Sequence, residues 1–278
     1  MDKKKETDYM TFRRKICQTI KSGVSDNVRV DIHPVVKNNA THLDGLTILR
    51  QEDKMSPNFY LQDYYRRYRE GETIQQLAEE ILITWETMDY DELDIPLDFS
   101  FAHVKDKIVY RLVSTEKNRE ILEEVPHIPF LDLSILFYYV AHYSGEDMRS
   151  LRITNELAQR WQVQVSDLWK LAIVNAQRMF PAVCCRLEDT IHCLLFQKSE
   201  PENILLSGDV KQKAEPEVRA QMHVLTNANR INGASVWLYP DVMERLAEYL
   251  QSSFYILPSS IHELMILADR GSIKLPEL

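Results

Sequence analysis

The polar residues with the clearest chemical potential lie near the C-terminal end, where Ser259–Glu263 reads Ser-Ser-Ile-His-Glu. A histidine can activate a nearby serine as a nucleophile, and a carboxylate can orient the imidazole. Ser260, His262 and Glu263 are therefore the candidates for a catalytic role in a hydrolase. The alternative is that Ser260 and Glu263 cap a turn while His262 forms a local hydrogen bond.

Two patterns that would strengthen the catalytic interpretation are missing from the sequence. A serine hydrolase of the α/β type presents its nucleophile in Gly-x-Ser-x-Gly, which the chain lacks. The helix of a zinc protease needs His-Glu-x-x-His, and position 266 is isoleucine. The sequence therefore favours the turn interpretation for this cluster.

Cys184, Cys185, His192 and Cys193 form a second cluster of residue types that bind zinc. Zinc sites take their cysteine ligands as pairs separated by a few residues, whereas adjacent cysteines on a strand point to opposite faces. Free cysteine is also among the most buried residue types. We therefore expect buried, reduced cysteines and no bound metal.

The segment Tyr64–Arg69 interleaves tyrosines with Arg66, Arg67 and Arg69, as surfaces that bind single-stranded nucleic acid do. Basic residues are also favoured at the C-terminal end of a helix, where the helix dipole is negative. The formal net charge of -9 argues against a nucleic-acid-binding surface, which needs a basic footprint. The arginines remain binding candidates, but a nucleic-acid partner is not expected.

Two further groups of polar residues could bind a ligand or an ion. Asn227 is a binding candidate, and the alternative is that it and its neighbours Asn229 and Asn232 serve turns. A run of carboxylates could hold a divalent cation, but it lacks the spacing of a calcium loop and is interpreted as a solvated linker. Its members are Asp89, Asp91, Glu92 and Asp94.

Composition limits the classes of protein to which the chain can belong. Its 278 residues are 45% hydrophobic and 27% charged, as in ordinary globular domains. With only 7 glycines, a glycine-rich phosphate loop is not expected, and no cofactor is predicted. The charged N-terminal segment does not resemble a signal peptide, and no apolar run is long enough to span a membrane. The sequence therefore predicts a cytoplasmic protein with reduced thiols.

The N-terminal part, residues 1–95, is predicted to be a small α+β subdomain. Val28–His33 and Leu43–Leu49 are predicted to form an antiparallel hairpin. The helix Ile74–Trp85 is predicted to pack on one face of this hairpin. Thr73 and Gln76 have the spacing of a capping box at its start. The acidic stretch Met88–Asp98 is interpreted as the boundary to the next subdomain.

The remaining part, residues 96–278, is predicted to be a larger subdomain with a mixed sheet. Phe130–Tyr143 is predicted to be a buried central strand, with a helix as the alternative, and residues 197–218 are predicted to be a loop. In Met222–Ala268, Asn232-Gly233 is predicted to form a tight turn with positive φ angles. A strand–helix–strand unit is predicted to follow, with Phe254–Leu257 parallel to Ala234–Leu238. The fold class is therefore predicted to be α+β.

Several segments together suggest a family. They are Val125–Leu133, Leu225–Asn227 with Asn232–Ala234, Leu238–Pro240, and Leu257–Glu263. On these segments the chain resembles, over nearly its whole length, an uncharacterised family of anaerobic Clostridia-like bacteria known only as a domain of unknown function. The resemblance implies a bacterial, intracellular α+β protein without an assigned activity, so it identifies no catalytic residue.

The sequence leaves three functional hypotheses. The first is a non-enzymatic binding or regulatory protein with a protein partner, because no recognisable catalytic constellation accompanies a sizeable core. The second is a hydrolase that uses the Ser260, His262 and Glu263 region. The third is a nucleic-acid-associated accessory protein that uses Arg66, Arg67 and Arg69.

Overall fold

The computed structural model describes residues 3–51, 56–87, 99–144, 147–196, 201–206 and 221–271. Contacts divide the chain into two compact units, Met1–Glu92 and Leu93–Leu278. The predicted acidic linker and most of the predicted loop 197–218 lie outside the described residues. The helices and strands of the described residues confirm the α+β fold class.

In its described residues, the first unit combines three helices with a small antiparallel sheet. Strands β1 (Arg29–Lys37) and β2 (Thr41–Leu49) pair over their full length, from Arg29 opposite Leu49 to Lys37 opposite Thr41. The short strand β3 (Phe59–Tyr60) adds to the free edge of β2. The predicted antiparallel hairpin is confirmed. The helices of this unit are α1 (Lys3–Ser22), α2 (Leu61–Glu70) and α3 (Ile74–Thr87).

Helix α3 begins where the capping box predicts. Thr73 and Gln76 exchange hydrogen bonds: the Gln76 amide N–H donates to Thr73 Oγ1 at 3.3 Å, and the Thr73 amide N–H donates to Gln76 Oε1 at 3.0 Å. The apolar stripe of α3 is buried in one core with side chains from α1, β1 and β2. Direct helix packing in this core joins α3 to α1, while α1 contacts β1 and α2 contacts β2. The members of the stripe are Leu77, Ala78, Ile81 and Trp85.

The second unit contains two antiparallel sheets. In the first, the long strand β6 (Leu133–Ser144) pairs with β4 (Ile108–Ser114) on one side. On its other side it pairs with β5 (His127–Phe130) and β7 (Asp147–Arg152). The predicted central strand is therefore confirmed. Its long apolar run has side chains buried on both faces of the sheet.

Short helices flank this first sheet. They are α4 (Phe101–Val104), α5 (Arg119–Glu124), α6 (Asn155–Trp161) and α7 (Val165–Met179), with 3-10 turns at Lys105–Lys107 and Glu116–Asn118. Thr154 caps α6 by accepting the Leu157 amide N–H at 3.2 Å. Gln164 and Asp167 form a capping box at the start of α7.

The second sheet has the strand order β10-β11-β9-β8, and each neighbouring pair is antiparallel. Its strands are β8 (Ala182–Arg186), β9 (His223–Asn227), β10 (Phe254–Pro258) and β11 (Leu264–Ala268). Within the described ranges, two helices accompany them, α8 (Leu187–Phe196) and α9 (Val242–Leu250). Asp241 precedes α9 but makes no side-chain cap.

The prediction of a parallel crossover in this sheet is wrong. Residues Gly233–Leu238 form a 3-10 helix instead of a strand. Gly233, Val236 and Tyr239 are buried at every third position, which is the period of a 3-10 helix. Ser235 Oγ donates to the Asn232 carbonyl at 2.9 Å, a local bond that strengthens this turn. Tertiary burial therefore overrides the strand preference of Val-Trp-Leu-Tyr.

Gly233 is required for a different reason from the one predicted. Asn232 does adopt the left-handed conformation, with φ +51°, but Gly233 has no positive φ and the pair forms no hairpin turn. A Cβ atom at Gly233 would collide with Thr226 Oγ1 and would lie 2.5 Å from the His262 carbonyl oxygen. It would also lie 2.8 Å from the Asn227 amide nitrogen. Close approach of the backbone, and not its conformation, excludes a side chain here.

The contrast between Gly233 and Gly71 gives a test. Gly71 has φ +117° and open space around it, so Gly71→Asn should destabilise less than Gly71→Ala. At Gly233 both replacements should destabilise the protein, Gly233→Ala by about 1–3 kcal/mol, because any Cβ overpacks the site. Urea unfolding measures all four variants. Gly233→Ala with the stability of the parent would contradict this explanation.

Candidate functional site

A cleft of about 210 Å³ lies on one face of the second sheet. The register of β8 and β9 places Val183 opposite Thr226 and Cys185 opposite Val224, so these four side chains share a face. They form the floor of the cleft. Polar and charged residues form its rim, so the cleft combines an apolar surface with a few polar groups, as small-molecule sites do. The other lining residues are Thr190, Pro201, Asn227, Ala228, Arg230 and Glu263.

Asn227 holds the loop that carries part of this rim. Its side-chain amide donates to the Ile231 carbonyl at 2.8 Å, and its Oδ1 accepts the Ile231 amide N–H at 3.2 Å. The Arg230 amide N–H also donates to the Asn227 carbonyl at 3.0 Å. The predicted binding candidate Asn227 therefore borders the cleft, but both ends of its buried side chain are engaged by the loop.

Ser260, His262 and Glu263 lie together in the turn between β10 and β11, and each has a local partner. Ser260 Oγ accepts the His262 amide N–H at 3.0 Å. His262 Nδ1 accepts the Asn232 amide N–H at 3.2 Å, and the His262 carbonyl accepts the Thr226 hydroxyl at 2.7 Å. Glu263 Oε1 accepts the Ser259 hydroxyl at 3.2 Å. These bonds hold the turn and join it to the end of β9.

The candidate arginines lie on α2 in the first unit. Arg67 binds Glu72 at 2.7 Å and Glu80 at 2.8 Å through its guanidinium. The hydrogen bonds that Arg67 donates to Glu80 and to Glu72 raise the pKa of Arg67, the bond to Glu80 having the larger effect. Arg67 in turn lowers the pKa of both carboxyl groups. Arg66 makes an exposed ion pair with Asp63 at 3.3 Å. The charge of Arg67 is therefore largely balanced within its own unit.

The cysteine cluster is divided between two elements. Cys184 and Cys185 are buried on opposite faces of β8, while His192 and Cys193 lie on α8. Burial raises the pKa of the Cys184 thiol, which keeps it protonated. Within the described ranges, no three His, Cys, Asp or Glu residues are placed to hold a metal ion. The acidic residues Asp89, Asp91, Glu92 and Asp94 lie outside those ranges.

The sequence did not point to His223, which lies at the start of β9. Its side chain is 0% exposed and contacts Tyr249 edge-on, with ring centroids 5.8 Å apart. Among the described residues, neither ring nitrogen has a hydrogen-bond partner of ordinary geometry. Burial lowers the pKa of His223, and Arg186 acts in the same direction, whereas the Gln221 backbone and Asp189 oppose the shift.

A model for a family of unknown function (DUF5688) matches residues 9–278, which is nearly the whole chain. The chain belongs to this family. The predicted resemblance to a family of unknown function over nearly the whole chain is thereby confirmed. Searches of curated proteins and of solved structures find no match to this DUF5688 member.

In the part of the chain that the structure describes, no helix combines the length and the apolar character that crossing a bilayer requires.

His262→Gln tests the structural role of the turn. The substitution removes the imidazole acceptor of the Asn232 amide, so we expect a loss of about 0.5–2 kcal/mol in the free energy of unfolding. His192→Gln, at an exposed position on α8, is the matched control and should change stability little. A His262→Gln variant as stable as the parent would show that this hydrogen bond does not hold the turn.

Because His223 is buried, we expect the folded state to lose stability in mild acid. Its ordinary pKa of 6.5 applies to the unfolded chain, and burial lowers the pKa in the folded chain. Below pH 6.5 the unfolded chain therefore binds a proton that the folded chain does not, and the folded state loses stability until the pH reaches the lower, folded pKa.

His223→Phe should make unfolding less sensitive to acid in this pH range, because phenylalanine keeps the aromatic packing but cannot titrate. Urea unfolding at pH 7.5 and pH 5.5 measures the difference. An equal loss of stability in the parent and in His223→Phe would contradict the prediction.

Proposed function

We propose that this chain is a non-catalytic, cytoplasmic binding or regulatory protein and that the cleft on the second sheet is its binding site. The observation that carries this proposal is the combination of an apolar floor with two charged rim residues, Arg230 and Glu263. Neither forms an ion pair with another described residue. A cleft of this composition suits a small ligand that combines apolar and charged groups.

Hydrolase activity is a weaker proposal because the candidate residues are engaged elsewhere. A catalytic serine needs a base within hydrogen-bond reach of its hydroxyl. Here Ser260 Oγ accepts a backbone N–H, and His262 Nδ1 accepts another. Glu263 contacts Ser259 instead of orienting the imidazole. The local arrangement supports a turn more directly than a catalytic triad.

The type of partner and the compartment are also proposals. All four cysteines are free thiols, which suits a reducing compartment. A protein partner would find apolar side chains on the outer face of α8, where Leu195 is 69% and Phe196 60% exposed. A nucleic-acid partner has less support, since Arg67 already binds two carboxylates in its own unit.

A cleft-filling variant tests the proposed binding function. Ala228 is exposed and lines the cleft, so Ala228→Trp can fill it without disturbing the core. Native mass spectrometry of the chain from its expression host should show a bound small molecule that Ala228→Trp lacks. Ala247→Trp, exposed on α9, should keep that molecule.

An activity assay completes the test. We expect the parent, Ser260→Ala and His262→Gln to hydrolyse p-nitrophenyl acetate and p-nitrophenyl phosphate at the same background rate. Turnover by the parent that disappears in both variants would contradict the non-catalytic proposal and favour the hydrolase. A small molecule retained equally by Ala228→Trp would contradict the location of the binding site.

A further inference from the structure

The groups of the cleft that remain available to a ligand are limited. Thr226 donates its hydroxyl to the His262 carbonyl at 2.7 Å, and Thr190 donates its hydroxyl to the Arg186 carbonyl at 3.0 Å. The Asn227 amide is engaged at both ends by Ile231. The neutral polar side chains of the lining therefore already have partners. The charged groups of Arg230 and Glu263 are left for recognition.

Arg230 and Glu263 approach the cleft from different segments. Arg230 is exposed on the loop after β9, and its guanidinium has no hydrogen-bond or ion-pair partner among the described residues. Glu263 is partly buried at the β10–β11 turn, and within the same residues its carboxylate accepts only the neutral Ser259 hydroxyl. A cation and an anion thus border one cleft without neutralising each other. A ligand that carries both charges can neutralise both.

The backbone of Arg230 supports a role for its side chain. Its φ is +54°, in the left-handed region that glycine and asparagine adopt more readily than arginine. The hydrogen bonds of Asn227 to the same loop hold it in this conformation and keep Arg230 beside the cleft.

The floor indicates the character of the rest of the ligand. Val183 is the partly exposed aliphatic residue of the floor, while Val224 and Cys185, 5% and 4% exposed, form its deepest part. The volume of about 210 Å³ exceeds the share of roughly 30 Å³ that one water molecule occupies in the liquid. The cleft therefore has room for a molecule of amino-acid size whose body is aliphatic.

We propose that the cleft binds a small zwitterion with an aliphatic body, of the type of a free branched-chain amino acid. Its carboxylate binds the Arg230 guanidinium, its ammonium group binds the Glu263 carboxylate, and its side chain lies on Val183 and Val224. Arginine suits the first contact because its planar guanidinium can donate two parallel hydrogen bonds to a carboxylate. The ligand class rests on the proposed binding function of the same cleft.

Isothermal titration calorimetry with L-leucine and two truncated analogues tests the ligand class. Leucinamide lacks the carboxylate, and 4-methylpentanoate lacks the amine. We expect leucine to bind at millimolar concentration or below and each analogue to bind at least about tenfold more weakly, since a hydrogen bond to a charged group contributes about 1.5–3 kcal/mol.

Two variants connect each charge of the ligand to its residue. In Arg230→Gln the preference for leucine over leucinamide should disappear, and in Glu263→Gln the preference for leucine over 4-methylpentanoate should disappear. Glu263→Gln keeps the shape of the side chain and an acceptor for Ser259, and Arg230→Gln shortens the side chain but leaves it polar. Arg14→Gln, at an exposed position in the first unit, is the control and should bind leucine like the parent.

The outcomes separate this proposal from the binding function itself. Leucine and 4-methylpentanoate could bind equally well to the parent, with both losing affinity in Arg230→Gln. That result would identify a site for anions and overturn the proposal of a zwitterionic ligand, although the cleft would still bind a ligand. Equal leucine binding by the parent, Arg230→Gln and Glu263→Gln would place the ligand elsewhere and overturn the proposal. No heat with leucine, isoleucine, valine or methionine at millimolar concentration would also overturn it. A bound molecule lost specifically in Ala228→Trp would still support a binding cleft.

Discussion

The second sheet and its cleft depend on one junction, where the loop after β9 meets the turn between β10 and β11. The Thr226 hydroxyl and the Asn232 amide both donate to His262, to its carbonyl and its Nδ1 respectively. The Ala234 amide N–H donates to the Ile261 carbonyl at 3.2 Å beside them. Gly233 allows this approach because the space next to it is already filled by backbone. The junction keeps the two charged sides of the cleft at a defined separation.

This junction also explains why two of the candidate residues from the sequence, His262 and Asn227, lie near the cleft. His262 and Asn227 are polar residues in a region that borders a cleft, yet their hydrogen bonds build the walls instead of facing a substrate. Such bonds contribute only about 0.5–1.5 kcal/mol each, but leaving their buried partners unpaired would cost more. The neutral polar groups thus stabilise the site, and the charged residues at its rim are left for binding.

Short stretches of sequence predict a helix or strand correctly where neighbouring residues determine that element. The Thr73 capping box, the alternation in β1 and the apolar run of β6 each specify an element with little help from the rest of the chain. The segment Ala234–Leu238 has a strand-like composition, and only its burial against β9 and the β10–β11 turn makes it a 3-10 helix. The cleft was not predictable either. Its floor comes from two strands, and its charged residues, Arg230 and Glu263, become neighbours of one cleft only when β9 and β11 pair.

Amide hydrogen exchange would test most directly whether the junction and the cleft act together. The Asn232 and Ala234 amides report on the junction because both donate across it. Exchange at these amides measures the free energy of local opening. If a ligand bridges Arg230 and Glu263, saturating L-leucine should slow exchange at both amides, and the effect should disappear in Glu263→Gln. Unchanged exchange at both amides in the presence of leucine, or equal slowing in Glu263→Gln, would contradict the account.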